Sequence, residues 1–352
     1  MNIADLWSIA PELWLLALGL VVLLVDLFTS QENKPAVGLV AVIGLALSII
    51  PAASMFGWAP RTVFSGTYVV DGFAVFFKII AAVATALVIL SAMGSVGPRV
   101  RFAGEFYALL VFTALGLMLM AGSGDIILLA LSIEYISLTT YVLAGYLKAD
   151  PKSNEAGIKY FLFGAAASAV MFFGFSILYG LTGTTSLLEI AQRLRTAPLP
   201  ATYLAVALML AGFGFKISMV PFHQWVPDVY EGAPTPIAAF LSVGSKAAGF
   251  AALVRVLLVT LDPSRVDWVL LMAILAAVSM TLGNLLALPQ RNIKRMLAYS
   301  SISHAGFLLI GVAAFRGGLW DARPSHLPVR LHLYAVGRLL CGHAGRHPTG
   351  HR

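Results

Sequence analysis

Two lysines in otherwise apolar sequence, Lys216 and Lys246, bracket the stretch PFHQWVPDVYEGAPTP. Before it stands ATYLAVALMLAGFGFKISMV, long enough to cross a bilayer, with Lys216 as its only charge. After it stands IAAFLSVGSKAAGFAALVRVLL, with Lys246 near its middle. An ammonium group at membrane depth costs several kcal/mol unless it is paired, hydrated or neutralised, and intramembrane ionisable groups are functional by default. The prolines of the insert, Pro221, Pro227, Pro234 and Pro236, interrupt helical hydrogen bonding where only protein or water can satisfy the freed backbone. A buried cation beside a broken helix is the pattern of an ion path.

A carboxylate belongs to the same pattern. Glu134 lies in GDIILLALSIEYISLTTYVLAGYL, about ten residues from either end, which a 1.5 Å rise per residue places near the midplane. A carboxyl group there is neutral unless a cation sits close. One acid and two amines at similar depth on separate helices suggest a mutually paired set, either transporting protons or fixing helix packing. Desolvation favours the neutral amine and a nearby carboxylate favours the ammonium, so small movements of Glu134 against Lys216 can switch proton uptake and release. His304, in MLAYSSISHAGFLLIGVA beside Ser300, Ser301 and Ser303, can relay protons or make an interhelical hydrogen bond. His223 lies in the break, where it can cap backbone groups or relay. Lys159 stands four residues after Glu155, the spacing of a helix ion pair, and close enough to one membrane surface to snorkel. Asp228 and Glu231 close the broken segment as solvated charges at its mouth. Lys78, two turns from Asp71, has no assigned partner.

Composition limits the scaffold that holds these groups. Charged residues are 11% of the chain and apolar residues 59%, against about 25% charged in soluble proteins. The first apolar run, 12–28, has no preceding Lys or Arg and no small-residue cleavage site, so it reads as a retained span. Cys341 is the single cysteine, which excludes an internal disulfide and a four-cysteine cluster. No dinucleotide fingerprint, P-loop or zinc-protease motif occurs, and no metal site is expected. The net charge is +7, but most of that excess lies after residue 315, so a nucleic-acid surface is not supported.

Runs of about 20 apolar residues mark ten spans: 12–29, 36–56, 70–92, 104–121, 125–147, 156–181, 201–228 (broken), 234–260, 266–288 and 292–315. The fold class is therefore an all-α polytopic membrane protein. Alternate joints carry unequal basic charge. One set holds Lys34, Arg99, Arg101, Lys148, Lys152, Arg291, Lys294 and Arg295; the other holds Arg61, Arg193, Arg195 and Arg265. The first set should be cytoplasmic, which puts the N-terminus outside. After Phe315 the spans stop. The tail RGGLWDARPSHLPVRLHLYAVGRLLCGHAGRHPTGHR holds five of the seven histidines and no lysine. It reads as a shifted frame after an interrupted gene or as a disordered basic terminus.

FKISMVPFHQWVPDVYEGAPTPIAAFLSVGSK resembles the antiporter-like membrane subunits of respiratory complex I. IEYISLTTYVLAGY, EAGIKYFLFGAAASAVMFFGFSILYG and NIKRMLAYSSISHAGFLLIGVA match in order and spacing. The resemblance runs from residue 1 to about residue 315. It implies fourteen spans, with three leading helices, two inverted five-helix repeats and broken helices at positions seven and twelve. On that pattern 1–95 holds the leading helices, 96–262 the first repeat and 263–315 a fragment of the second, with 316–352 a non-spanning basic tail. The chain then carries about ten of the fourteen spans, is C-terminally truncated and lacks the twelfth-span lysine.

The same resemblance implies a proton path through Glu134, Lys216, Lys246, His304 and Lys159. It implies a proton-translocating subunit of an NADH:quinone oxidoreductase in the bacterial inner membrane, partnered by other membrane and peripheral complex I subunits. NADH, FMN, iron–sulfur clusters and quinone would belong to those partners, with no cofactor in this chain. A subunit of a stand-alone cation/proton antiporter and a non-functional fragment are the alternatives.

Overall fold

A computed structural model describes residues 3–97, 100 and 102–314. The tail from Phe315 onward, with its two readings, lies outside the described residues. Among the described residues ten helices are long and apolar enough to cross a membrane.

The short α1 (Ile3–Ser8) leads into span 1, α2 (Ala10–Phe28), and span 2 is α3 (Lys34–Ser54). A two-stranded antiparallel hairpin follows, β1 (Arg61–Val63) and β2 (Tyr68–Val70). Spans 3 to 6 are α4 (Gly72–Ser95), α5 (Ala103–Ala121), α6 (Ile126–Ala144) and α7 (Pro151–Thr182). After the connecting α8 (Leu187–Arg193), span 7 is split into α9 (Leu199–Ile217) and α10 (Trp225–Gly232). Span 8 joins α11 (Thr235–Phe240), a π-helical turn (Leu241–Ser245) and α12 (Lys246–Thr260). Spans 9 and 10 are α13 (Trp268–Ala287) and α14 (Ile293–Ala313). The bundle is all-α apart from the hairpin, which no period in the sequence announces.

Local chemistry sets where the helices begin. Side chains of Asp71, Asp125, Asp150, Asp267 and Asn292 accept from the first free amides of α4, α6, α7, α13 and α14, satisfying donors that a helix leaves open. Pro151 follows its cap and supplies a preset first-turn φ. Span 6 therefore starts at residue 151, not at 156, where its apolar run begins. The hairpin reverses through Phe64, Ser65 and Gly66, all at positive φ. It is pinned to the loop after α5 by Val69 N–H to Gly122 O (2.7 Å) and Gly124 N–H to Thr67 O (2.9 Å).

Span 8 and α5 are the most enclosed helices, whereas α13 presents most of its surface outward. Two ion pairs tie the leading helices together and to span 8. Lys78 of α4 lies 2.9 Å from Glu12 of α2, both side chains almost wholly enclosed. Arg255 of α12 grips Asp71 with two bonds of 3.0 Å and donates through Nε to Ala121 O at 3.1 Å. Lys78 thus has its partner on the first span, sixty-six residues away in the sequence. Breaking one member of a buried pair strands the other charge, at a cost of about 3 kcal/mol. Arg255→Met is expected to lower the unfolding stability of the detergent-solubilised chain by that order, read as an earlier thermal transition. Arg195→Met, in the α8–α9 connection, serves as the surface control.

Candidate functional site

Span 7 is built around a stop. After Ile217 the chain turns left-handed at Ser218 (φ 64°), and Met219 N–H returns to Gly214 O at 2.8 Å. A cis Val220–Pro221 bond follows, and the helix resumes at Trp225. Freed backbone groups at membrane depth require protein partners. Val220 N–H donates to Ser279 Oγ on α13 (3.1 Å), and Trp225 Nε1 donates to Phe215 O (3.3 Å). Lys216 is the penultimate residue of α9, at the carbonyl end where the helix dipole favours a cation.

Lys216 is only 3% exposed. Its Nζ donates to Ser137 Oγ on α6 at 3.1 Å, and Ser137 donates onward to Ile133 O at 2.7 Å. Ser137 stands three residues after Glu134, so both project from one face of α6. Glu134 acts on Lys216 through space, but the direct contact of the amine is with a hydroxyl. Glu134 Oε1 is buried without a hydrogen-bond partner among the described residues. The acid and two amines are therefore not a contact-paired set, as their common depth suggested. Ser137 stands where the carboxylate was expected.

Lys246 opens α12 directly after the π-helical turn, a local geometry frequent at functional sites. Its ammonium donates to Ser301 O on α14 at 2.7 Å and also to Ser301 Oγ. The Tyr230 hydroxyl lies 3.5 Å from the same Oγ. The two lysine-bearing helices touch at Gly249: a Cβ there would stand 3.1 Å from Lys216 Cγ and 3.0 Å from Ile217 Cγ2. The glycine lets the aliphatic stem of Lys216 lie against α12.

Between the lysines stand hydroxyls that, Ser301 apart, the sequence pattern does not mark. Thr140, one turn beyond Ser137, bonds to Ser137 O at 3.0 Å and lies 3.5 Å from the Tyr160 hydroxyl. Tyr160 is buried, stacked on Trp225 at 4.5 Å and within reach of Ser245, the neighbour of Lys246. Ser137, Thr140, Tyr160 and Ser245 thus lead from Lys216 toward Lys246, and Ser301 and Tyr230 gather at Lys246 itself. Serines and threonines in apolar helices ordinarily bond back to their own helix, which is why their spacing carried no signal.

Lys159 and His304 lie elsewhere. Lys159 is partly exposed and pairs with Glu155 (2.6 Å) and Asp228 (2.7 Å), so the helix pair expected from the i,i+4 spacing is present. Asp228 and Glu231 are not simply solvated charges. Asp228 also pairs with Arg295 (2.6 Å), while Glu231 takes Arg295 (3.2 Å) and Lys152 (2.9 Å). Lys294 adds bonds to the Glu231 and Ala233 carbonyls. This network laces α7, α10 and α14 at the mouth of the break. His304 is exposed on α14 and meets the Phe307 ring at 6.2 Å, away from the buried face that carries Ser301. His223 sits in the break beside the Pro221 backbone, with its Nδ1 buried and unpartnered among the described residues.

Among the described residues, ten spans, a seventh helix broken at a buried lysine and a second lysine on the eighth define an antiporter-like membrane subunit. Residues 123–341 match the family model described as NADH:quinone oxidoreductase/Mrp antiporter, TM, and the chain belongs to that family. It is 45% identical over 317 residues to NADH-quinone oxidoreductase subunit N 2 of Chloroherpeton thalassium, covering 87% of this chain and 62% of that protein. A chain of respiratory complex I from Thermus thermophilus is similar at 33% identity and a TM-score of 0.72, over 86% of this chain and 64% of that one. A chain of the Mrp complex from Dietzia shares the fold, with a TM-score of 0.75 at 21% identity, over 90% and 60% of the two chains. The chain spans about three-fifths of the length of the curated relatives it matches.

Gly249 carries a local expectation. Gly249→Val must push α12 away from α9, an overpacking cost of about 1–3 kcal/mol. A lower thermal transition in the purified chain is the readout, with Gly180→Val, whose Cβ would meet open space, as the comparison.

Proposed function

We propose that this chain acts as a subunit-N-type, proton-translocating membrane component of an NADH:quinone oxidoreductase, with its redox chemistry in partner subunits. The observation that carries this reading is Lys216, buried at the stop in span 7 against the α6 face that presents Ser137 and Glu134. An amine in that position holds a proton as ammonium while Ser137 accepts its hydrogen bond and the Glu134 charge lies near. When the carboxylate recedes, desolvation favours the neutral amine and the proton leaves. The hydroxyls of Thr140, Tyr160 and Ser245 offer the route toward Lys246, whose amine is the next group able to hold the proton and donates as ammonium to Ser301 O and Oγ. Glu134, Lys216 and Lys246 carry this path. Lys159, held in the mouth network, orients α7 against α10, and His304 faces outward from the interval.

NADH, FMN, iron–sulfur clusters and quinone fall to the other membrane and peripheral subunits of such a complex. The single cysteine, Cys341, cannot supply the four thiolates of an iron–sulfur cluster. The basic joints at Lys34, Lys148, Lys152 and Lys294 support a cytoplasmic mouth and an outside N-terminus, and the bacterial inner membrane is the setting such a complex implies. The leading helices (1–95), the first repeat (96–262) and the beginning of a second (263–315) are the corresponding units.

The likeness to the Mrp chain favours a second reading, a subunit of a stand-alone cation/proton antiporter. Affinity purification of the tagged chain from its own membranes separates the two. Flavin and iron–sulfur subunits in the eluate support the first reading, and their absence beside other membrane subunits supports the second. In the assembled complex Lys216→Ala is expected to lower NADH-driven proton pumping at least about tenfold, equivalent to about 1.4 kcal/mol on the barrier. NADH oxidation by an artificial acceptor should stay near normal. Lys159→Ala should lower pumping much less, and equal losses in the two variants would count against the path drawn here.

A further inference from the structure

The buried ion pair between spans 1 and 3 has no place in the lysine path, and its surroundings are unlike those of a simple clamp. Lys78 is fully enclosed and Glu12 is 2% exposed. They lie 2.9 Å apart, yet the Lys78 amine makes no hydrogen bond of good geometry and Glu12 Oε2 is unpartnered among the described residues. The Tyr68 hydroxyl donates to Glu12 Oε1, and the Lys78 amine stands 5.2 Å from the Tyr68 ring centroid. Tyr68 comes from the hairpin, which folds over this end of the bundle through its bridge to Ser123. The charged and titratable groups that meet here are Glu12 from α2, Tyr68 from β2, Lys78 and its helix cap Asp71 from α4, and Arg255 from α12. Arg255 and Asp71 neutralise each other at 3.0 Å, and both act on Tyr68.

The geometry points to Glu12, Lys78 and Tyr68 as a second buried proton-exchange site, whose substrate is a proton passed between carboxylate and amine under the hairpin. In the ionised state the site holds a carboxylate and an ammonium. Moving one proton from Lys78 Nζ to Glu12 breaks an N–H bond, forms an O–H bond and leaves a neutral acid and a neutral amine. No net charge is created in hydrocarbon, where charge separation is expensive. The amine can then take a second proton, and the site is loaded by one. The amine stands 2.9 Å from Oε1, the oxygen to which Tyr68 also donates. That oxygen has a second lone pair for the proton, while Oε2 is left without a competing donor among the described residues. Arg255 gives the site a mechanical tie: it sits nine residues after Lys246 on α12, about 14 Å along the same rod, and its partner Asp71 caps the helix that carries Lys78.

This inference goes beyond the transport reading, and its test addresses Glu12 directly in the full chain. Infrared difference spectra of the purified chain in lipid, recorded across a pH step, should contain a protonated-carboxyl signal that is lost in Glu12→Gln. The signal should shift in frequency in Tyr68→Phe, which removes the hydroxyl donor. Glu134→Gln distinguishes the mid-span carboxyl in the same spectra. If Glu12→Gln does not accumulate, Glu12→Asp keeps the charge and should move the signal. A carboxyl signal identical in the wild type and in every Glu12 variant that folds overturns the proposal and leaves the pair as a structural clamp.

Discussion

A helix that stops inside a membrane must find partners for the backbone groups it frees, and the rest of this structure follows from how span 7 meets that demand. Its stop is tolerable because Ser279 reaches in from α13 and Trp225 folds back on Phe215. Those two bonds place α13 and α10 against the end of α9, and the same carbonyl end supplies a negative dipole for Lys216. The lysine and the break are thus one device. A continuous helix would hold the amine without the dipole, and a break without the amine would leave a purely structural kink.

Charge is handled differently in three layers of the protein. At the mouth, Lys152, Lys159, Lys294 and Arg295 share Asp228, Glu231 and nearby carbonyls in a laced network. In the interior, Lys216 and Lys246 rest on serine oxygens. At the far end, Lys78 and Arg255 each hold a carboxylate. A hydroxyl stabilises an ammonium less than a carboxylate does and equally accepts the neutral amine as a partner. In the middle layer each lysine can therefore gain or lose a proton with no carboxylate partner in contact, whereas at the far end a proton can only pass within the pair.

The spans were legible because hydrocarbon thickness sets a minimum apolar length, and Lys216, Lys246 and Glu134 were legible because charge there is rare. Helix starts were less so: span 6 begins at Pro151 because Asp150 caps it, not because apolar residues begin there. That Ser137 and Ser301 hold the lysines was not legible, since a hydroxyl in an apolar helix looks the same whether it bonds to its own turn or to a neighbour. The Glu12–Lys78 pair escaped for another reason. Nothing in the spacing of residues 12 and 78 indicates which helices pack together, and Glu12 read only as the start of a span. His304 is exposed on α14 among the described residues, for depth along a span does not fix which face of the helix a residue takes.

Span 6 is 32 residues long, about 48 Å, against a hydrocarbon layer of about 30 Å. Its uncharged stretch from Tyr160 to Thr182 already fills that layer, so the turn carrying Lys152, Glu155 and Lys159 stands in the headgroup and water zone. Mobile ions reach it there, and screening over about 8 Å at physiological strength weakens the lacing that ties α7, α10 and α14 together. The two amines deeper in the hydrocarbon are shielded from those ions. Ambient salt therefore tunes the stiffness of the entrance independently of the chemistry inside.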